Sequence, residues 1–443
     1  MWRLFLVFLI PLIFSNVLQS ASQTIGSIYL GRLIGVHALA AVSVIFPLIF
    51  LLVAFLIGLA SGSTVLIGQA FGAREFRKMK RVAGTTLSVS FMLGIVLGGI
   101  GIAFTEPLLR LVGTPADILH DSAVYSQLIF ISLPVFFPYI AYTTFLRGTG
   151  DSQTPFYALI VSFVLAMVLI PAFILGWAGL PRLGIAGAAI AGYLSNGVAF
   201  IALLGYLMYR NHPLQFDFEM LRDMRVDWKL LKSVVRIGVP TGLQTIMVAL
   251  AEIAVISFVN RFGSDATAAY GAVNQIAGYV QFPAMSIGIT ASIFGAQSIG
   301  ARRNDKLNGV VRSGIMLNYV IGGFIILVCY LLAWDILGWF ITQPRPLHIA
   351  HALLMITLWS YALFGNSAVL SGIMRSSGTV LWPTAINIFA IWAVEVPAAY
   401  LLMHRFGIDG VWMGYPIAFA VGLALQFAYY ELVWKKKQHE RLI

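Results

Sequence analysis

Two glutamates stand where charge is expensive. Of the 17 acidic residues, only Glu252 and Glu395 lie deep inside long apolar stretches, Glu252 within Met247–Phe258 and Glu395 just ahead of Pro397. Each sits about eight residues from the outer end of its stretch, or roughly 12 Å at 1.5 Å per helical residue. An ionisable group at that depth is a functional candidate by default. Carboxylates there suit ion coupling, because the same oxygens accept a proton or supply hard ligands to sodium. A sodium site at Glu252 is therefore considered beside a proton site, and no other metal site is expected.

Polar and aromatic residues in neighbouring stretches are candidates for lining a substrate cleft: Gln23, Tyr139, Tyr142, Asn274, Gln275, Tyr279, Gln281, Tyr361 and Asn366. Aromatic faces attract organic cations, and scattered polar groups orient a ligand. His348 and His351 form an i, i+3 pair near an outer helix end, with no acid or cysteine beside them to complete a metal set.

The elements that must position these groups follow from composition. Hydrophobic residues make up 60% of the 443 and charged residues only 10%, against about 25% charged in soluble domains. Such a chain cannot cover a water-facing surface, and it is far too apolar to be disordered. Twelve stretches reach the roughly 20 apolar residues that a membrane span needs, near 4–30, 38–68, 84–104, 122–146, 155–175, 184–209, 237–260, 266–297, 311–334, 347–374, 383–403 and 409–434. Pro11, Pro47, Pro134, Pro138, Pro171, Pro240, Pro283 and Pro397 interrupt several of them, as expected where a helix faces protein or a wet cavity. With this topology 22 of the 28 Lys and Arg fall on one face and 6 on the other. The richer face is then cytoplasmic and carries both termini. No Lys or Arg is left for the membrane interior. Cys329, the only cysteine, lies in an apolar run and can form no internal disulfide.

The chain also repeats itself. Gly68-Gln69-Ala70-Phe71-Gly72-Ala73-Arg74 returns as Ala296-Gln297-Ser298-Ile299-Gly300-Ala301-Arg302, and Leu146-Arg147-Gly148-Thr149-Gly150 as Met374-Arg375-Ser376-Ser377-Gly378, both 228 positions on. Gly35 pairs with Gly263 at the same offset, and Gly184-Ile185-Ala186-Gly187 with Gly407-Ile408-Asp409-Gly410 at 223. The repeat gives the first stretch a partner in the second half, which argues against reading it as a signal peptide. The expected fold is all-α: twelve transmembrane helices in two six-helix bundles, related by a pseudo-two-fold axis along the membrane normal. The lobes fall at residues 1–209 and 237–443, with a cytoplasmic linker at 210–236. Parallel repeats of this kind suit alternating access around a site between two halves.

Gly-Gln-x-x-Gly-Ala-Arg after the second helix, Leu-Arg-Gly-x-Gly-Asp-Ser-x-x-Pro at 146–155 and Gly-x-Pro at 238–240 resemble the multidrug and toxic compound extrusion (MATE) family across essentially the whole chain. The resemblance implies a V-shaped, two-lobe exporter of organic cations driven by a proton or sodium gradient. It also implies a cation-site glutamate on helix seven, the slot Glu252 occupies; Glu395 has no family counterpart. Three positions depart from the family pattern. Gly26 stands where helix one commonly carries an aspartate, helix five offers only Ser162 and helix ten only Asn366. Any ion coupling must then reside in the second lobe.

The expected function is antiport of a small organic, cationic substrate against protons or sodium, by a monomer in an inner or plasma membrane, with no further cofactor and no nucleic-acid partner. The alternative, a flippase of lipid-linked saccharides or other amphipathic lipids, would want Arg or Lys inside the cleft to hold a pyrophosphate. An intramembrane enzyme would need a nucleophile and base, or a metal cluster, and no histidine lies mid-span.

Overall fold

The computed structural model describes residues 2–443. Twelve helices are long and apolar enough to cross a membrane: Trp2–Leu33, His37–Gly72, Phe76–Ala103, Leu119–Gly148, Gln153–Leu175, Ile185–Tyr209, Trp228–Phe262, Ser264–Gly300, Asn304–Leu331, Pro344–Ser376, Leu381–Phe406 and Ile408–Trp434. They overlap the expected spans one for one, and no strand occurs among the described residues. Large apolar side chains such as Ile201, Phe324 and Leu331 are exposed. Exposed apolar surface on this scale calls for lipid rather than water as its neighbour.

Most of the prolines leave their helices continuous; Pro11, Pro134, Pro138, Pro171 and Pro283 all lie inside unbroken helix. Pro47 marks a real break, where the helix stops at Ser43 and restarts at Phe46. Four departures from regular helix were not visible in sequence. Asn318–Gly322, Ala390–Glu395 and Tyr430–Trp434 are π-helical turns, and Leu358–Ser360 is a tight 3-10 turn inside the tenth span.

The repeat extends to the backbone. Arg74 and Arg302 are both left-handed, with φ of 60° and 56°, a conformation L side chains avoid. Gly35 and Gly263, Gly150 and Gly378, and Gly184 and Gly407 match in the same way. At the first of these sites the amides one residue past each left-handed arginine close equivalent bonds, Glu75 N–H to the Ala70 carbonyl at 2.9 Å and Arg303 N–H to the Ser298 carbonyl at 2.8 Å. These are the C-terminal bonds a left-handed cap permits.

The chain divides into two compact units. The first is Phe14–Gly238; the second is Val239–Leu442 together with the described residues up to Ile13. The boundaries differ from those read in sequence, because the cuts fall inside the first and seventh spans, beside Pro11 and Pro240. A proline removes one helical hydrogen bond, so the two ends of such a helix can pack in different neighbourhoods. In the second unit Phe5 and Leu9 are fully buried among Ile287, Ala291 and Ile299, and Phe5 lies 5.7 Å from the Phe294 ring. In the first unit the start of the seventh span presses on the second. A Cβ at Gly62 would fall 2.2 Å from the Val234 carbonyl oxygen, and one at Gly238 2.6 Å from that of Gly58.

The segment expected to be a linker is instead docked on the third span. Lys80, nearly buried, donates to Asp217 at 2.6 Å and Glu219 at 2.8 Å. Asp217 caps the short helix Phe218–Asp223 by accepting the Met220 amide at 2.9 Å. Ser88 donates to the Met224 carbonyl at 2.6 Å, and Arg81 pairs with Asp227 at 3.1 Å. Partial burial pushes the Asp217 carboxyl up. The hydrogen bonds from Lys80, the Met220 amide and Gln215, with the Lys80 charge, outweigh this and hold it below the usual carboxylate range. A depressed folded-state pKa contributes stability that is present above the ordinary aspartate range and lost as pH falls through the lowered value. Hydrogen exchange of residues 214–227, corrected for intrinsic rates, is expected to stay protected at neutral pH and to open in acid. Lys80→Met leaves two partly solvated acids unpaired, at a cost of about 1–2 kcal/mol. Protection of the same amides is expected to fall roughly 5–30-fold at pH 7; unchanged protection would mean that the ion pair does not hold the segment.

Candidate functional site

The eleventh span sets the position of Glu395. Pro397 has no amide to give the carbonyl of Ala393, and the helix widens into the π turn Ala390–Glu395 immediately before it. Such turns recur at functional sites because the extra residue re-aims a side chain. Glu395 is 5% exposed. Trp392 on the same turn donates its indole N–H to the Met247 carbonyl at 3.2 Å, tying the eleventh span to the seventh. The twelfth span backs the turn closely enough that a Cβ at Gly414 would lie 3.0 Å from the Glu395 carbonyl oxygen.

Glu252 projects from the edge of the seventh span. Ala251, Val255 and Val259 on the adjoining stripe are buried in the core, while Glu252 remains accessible. The two carboxylates lie within electrostatic reach of each other. Among the described residues neither forms an ion pair or a hydrogen bond with the protein. The phenols of Tyr270 and Tyr361 lie within electrostatic reach of both, and that of Tyr415 within reach of Glu395. The Tyr270 and Tyr415 hydroxyls are 3.0 Å apart, and Asn274 lies one turn further along the same helix as Tyr270. The Tyr270 ring stacks on Trp412 at 5.8 Å and 10°, and Tyr361 packs against Phe419 at 5.5 Å. Spans seven, eight, ten, eleven and twelve thus each place a group here, all within the second unit. Two carboxylates stand deep in the second unit with no basic partner among the described residues.

Of the residues expected in the site, Glu252, Glu395, Tyr361 and Asn274 come together. Asn274, Gln275 and Tyr279 form an accessible stripe on the eighth span. Gly271 and Gly278 widen that stripe, since a Cβ at either would meet nothing within 4 Å. Gln281 is half-buried, and Gln23 is exposed on the first span. Three expectations of cleft lining are corrected by burial. Tyr142 is wholly buried, its ring against Phe145 and Phe200 and its hydroxyl donated to the Leu214 carbonyl. Tyr139 is nearly buried beside Phe200 at 5.9 Å. Asn366 is spent on a network of its own, accepting from Asn318 at 2.9 Å and donating to Tyr319 at 2.7 Å. A buried amide needs such partners, and the π turn at Asn318 supplies them. His348 and His351 sit against Trp334, with His351 stacked at 4.0 Å.

Tyr270, Trp412 and Tyr415 were not anticipated. Nothing in their spacing ties them to either glutamate; Tyr270, four residues before Asn274 on the same helix, was the nearest signal.

The first unit offers a contrast at Gly26. Ser22, Ile25, Gly26, Phe163, Ala166, Met167 and Ile170 line a small, partly open hollow of about 10 Å³ between the first and fifth spans, and a Cβ at Gly26 would meet nothing within 4 Å. Where the family resemblance implies an aspartate there is open, mostly apolar space. Ser162, the polar residue of the fifth span, is engaged with Asn196 at 2.8 Å.

This fold and its duplication define a membrane transporter class. The MatE family model matches the chain twice, over residues 11–172 and again over 240–401, and the chain belongs to that family. It is 56% identical to the probable multidrug resistance protein YoeA of Bacillus subtilis, with 100% of this chain and 96% of the relative covered. It is 24% identical to the multidrug export protein MepA of Staphylococcus haemolyticus, over 91% of this chain and 87% of that one. Among solved structures, the Vibrio cholerae MATE transporter VcmN in the bent form superposes with a TM-score of 0.89 at 21% identity, covering 97% and 96% of the two chains.

Proposed function

We propose that the protein is a secondary-active exporter of drug-like organic cations, exchanging them for protons or sodium ions across a cell membrane. The names of its relatives, multidrug resistance and multidrug export proteins, support the substrate class. The observation that carries the reading is the Glu252–Glu395 arrangement, two carboxylates without a basic partner among the described residues and with tyrosine phenols within electrostatic reach. A site of that charge holds a proton or sodium ion in one state and an organic cation in the other, so loading one releases the other. Aromatic faces of Tyr279 and Tyr361 add cation–π attraction for the organic ligand. The 22-to-6 division of Lys and Arg supports an orientation with both termini in the cytoplasm. A lipid-linked saccharide would find no interior base for its pyrophosphate.

The test is efflux of a fluorescent organic cation from proteoliposomes, driven in turn by an imposed proton and an imposed sodium gradient. One of the two gradients is expected to accelerate efflux; acceleration by neither refutes the proposal. Glu395→Gln is expected to slow the driven efflux about tenfold, the equivalent of about 1.4 kcal/mol, because Glu252 alone retains a titratable, cation-binding group. An unchanged rate in this variant would assign Glu395 a packing role.

A further inference from the structure

The docked segment between the sixth and seventh spans sorts its charges by direction. Its acids turn toward the protein: Asp217 and Glu219 bind Lys80, Asp227 binds Arg81 and the amides of Lys229 and Leu230, and Asp223 has a carboxylate oxygen buried. Its bases turn away: Arg222, Arg225 and Lys229 are exposed, with no ion-pair partner among the described residues. Between those bases stand large apolar side chains that nothing covers, Phe218 at 82% exposure, Trp228 at 76% and Leu221 at 53%.

The rotation of this segment is fixed. Met220 is fully buried beneath it. Thr85 donates to the Arg225 carbonyl at 3.3 Å and accepts the Asp227 amide at the same distance. A Cβ at Gly84 would fall 2.5 Å from the Asp223 carbonyl oxygen. The exposed face therefore cannot roll inward to hide its apolar groups.

We propose that this face seats on the anionic phospholipid headgroups of the leaflet it meets, with Phe218, Leu221 and Trp228 entering the headgroup–acyl boundary and the three bases binding headgroup phosphates. Interspersed bases and aromatics on the short helix Phe218–Asp223 and at the start of the span that follows it have the character of an in-plane lipid contact. Indole favours that depth, and the charge complementarity specifies anionic lipid. The segment would then hold the third span on one side and the bilayer surface on the other.

The test uses the full chain with Cys329→Ala and a nitroxide attached at Phe218→Cys, in nanodiscs of phosphatidylglycerol with phosphatidylcholine or of phosphatidylcholine alone. In the anionic discs the label is expected to be more accessible to oxygen than to a water-soluble nickel chelate, and this preference is expected to drop in the neutral discs. With Arg222→Gln, Arg225→Gln and Lys229→Gln added, the seated-to-lifted ratio in anionic discs is expected to fall about fivefold per base removed. A label open to nickel in both lipids overturns the proposal, and so does an equal oxygen preference in both. The comparison between lipids is made with the native bases in place, so it decides the matter even if the combined variant fails to fold.

Discussion

Glu252→Gln is expected to abolish gradient-driven export, lowering the rate at least about 100-fold, or some 2.7 kcal/mol in activation free energy. Glutamine keeps the size and most of the hydrogen-bonding capacity of the side chain but cannot take up or release a proton, and it holds sodium poorly. The position is accessible and makes no bond to the protein among the described residues, so the fold has little to lose. Reconstituted yield and melting temperature are expected to match the unsubstituted protein. The contrast with Glu395→Gln is informative, since Glu395 is buried while Glu252 lies at the surface of its helix. Wild-type export by Glu252→Gln would remove the carboxylate from the coupling step.

The second large effect is expected from Gly372→Leu. The eighth and tenth spans touch backbone to backbone: a Cβ at Gly372 would fall 2.2 Å from the Gly288 carbonyl oxygen, and one at Gly288 2.8 Å from that of Ala368. Small residues let membrane helices approach this closely, and their packing takes the place of a hydrophobic driving force. A leucine must push the helices apart, at a cost of about 3 kcal/mol or more. Those helices carry Tyr270, Asn274 and Tyr361, so spreading them also dismantles the site. The melting temperature in detergent is expected to fall by roughly 2–4 °C per kcal/mol. Gly309→Ala, in open space on the ninth span, is the control and is expected to melt at or slightly above the unsubstituted protein, by up to about 1 kcal/mol. Equal stability of the two variants would contradict the close crossing.

Much of this protein is legible in its sequence, for reasons that differ by element. The spans were visible because a bilayer demands length and apolarity together, and the duplication because turn residues such as Arg74 and Arg302 recur at a fixed offset. Glu252 and Glu395 stood out because a carboxylate in an apolar run has no ordinary explanation. Their neighbours did not. Tyr270, Trp412 and Tyr415 are as compatible with lipid or core as with a site, and only the packing of five spans brings them to the carboxylates. The π turn before Pro397 was hidden because a proline in sequence does not reveal how a helix accommodates it; Pro134 and Pro171 leave theirs continuous. Tyr142 and Asn366 were misread because polar character in a span fits a cleft and a buried hydrogen bond equally well. The lobe boundaries shifted because two helices are shared, which no pattern of hydropathy records.

The most direct test of the account is whether substrate and coupling ion exchange at Glu252. Proteoliposomes loaded with an organic cation and placed in substrate-free medium, without any imposed ion gradient, should take up protons or sodium as the substrate leaves. The uptake should stop with Glu252→Gln. Substrate efflux accompanied by neither ion, or ion uptake that persists unchanged in Glu252→Gln, would contradict it.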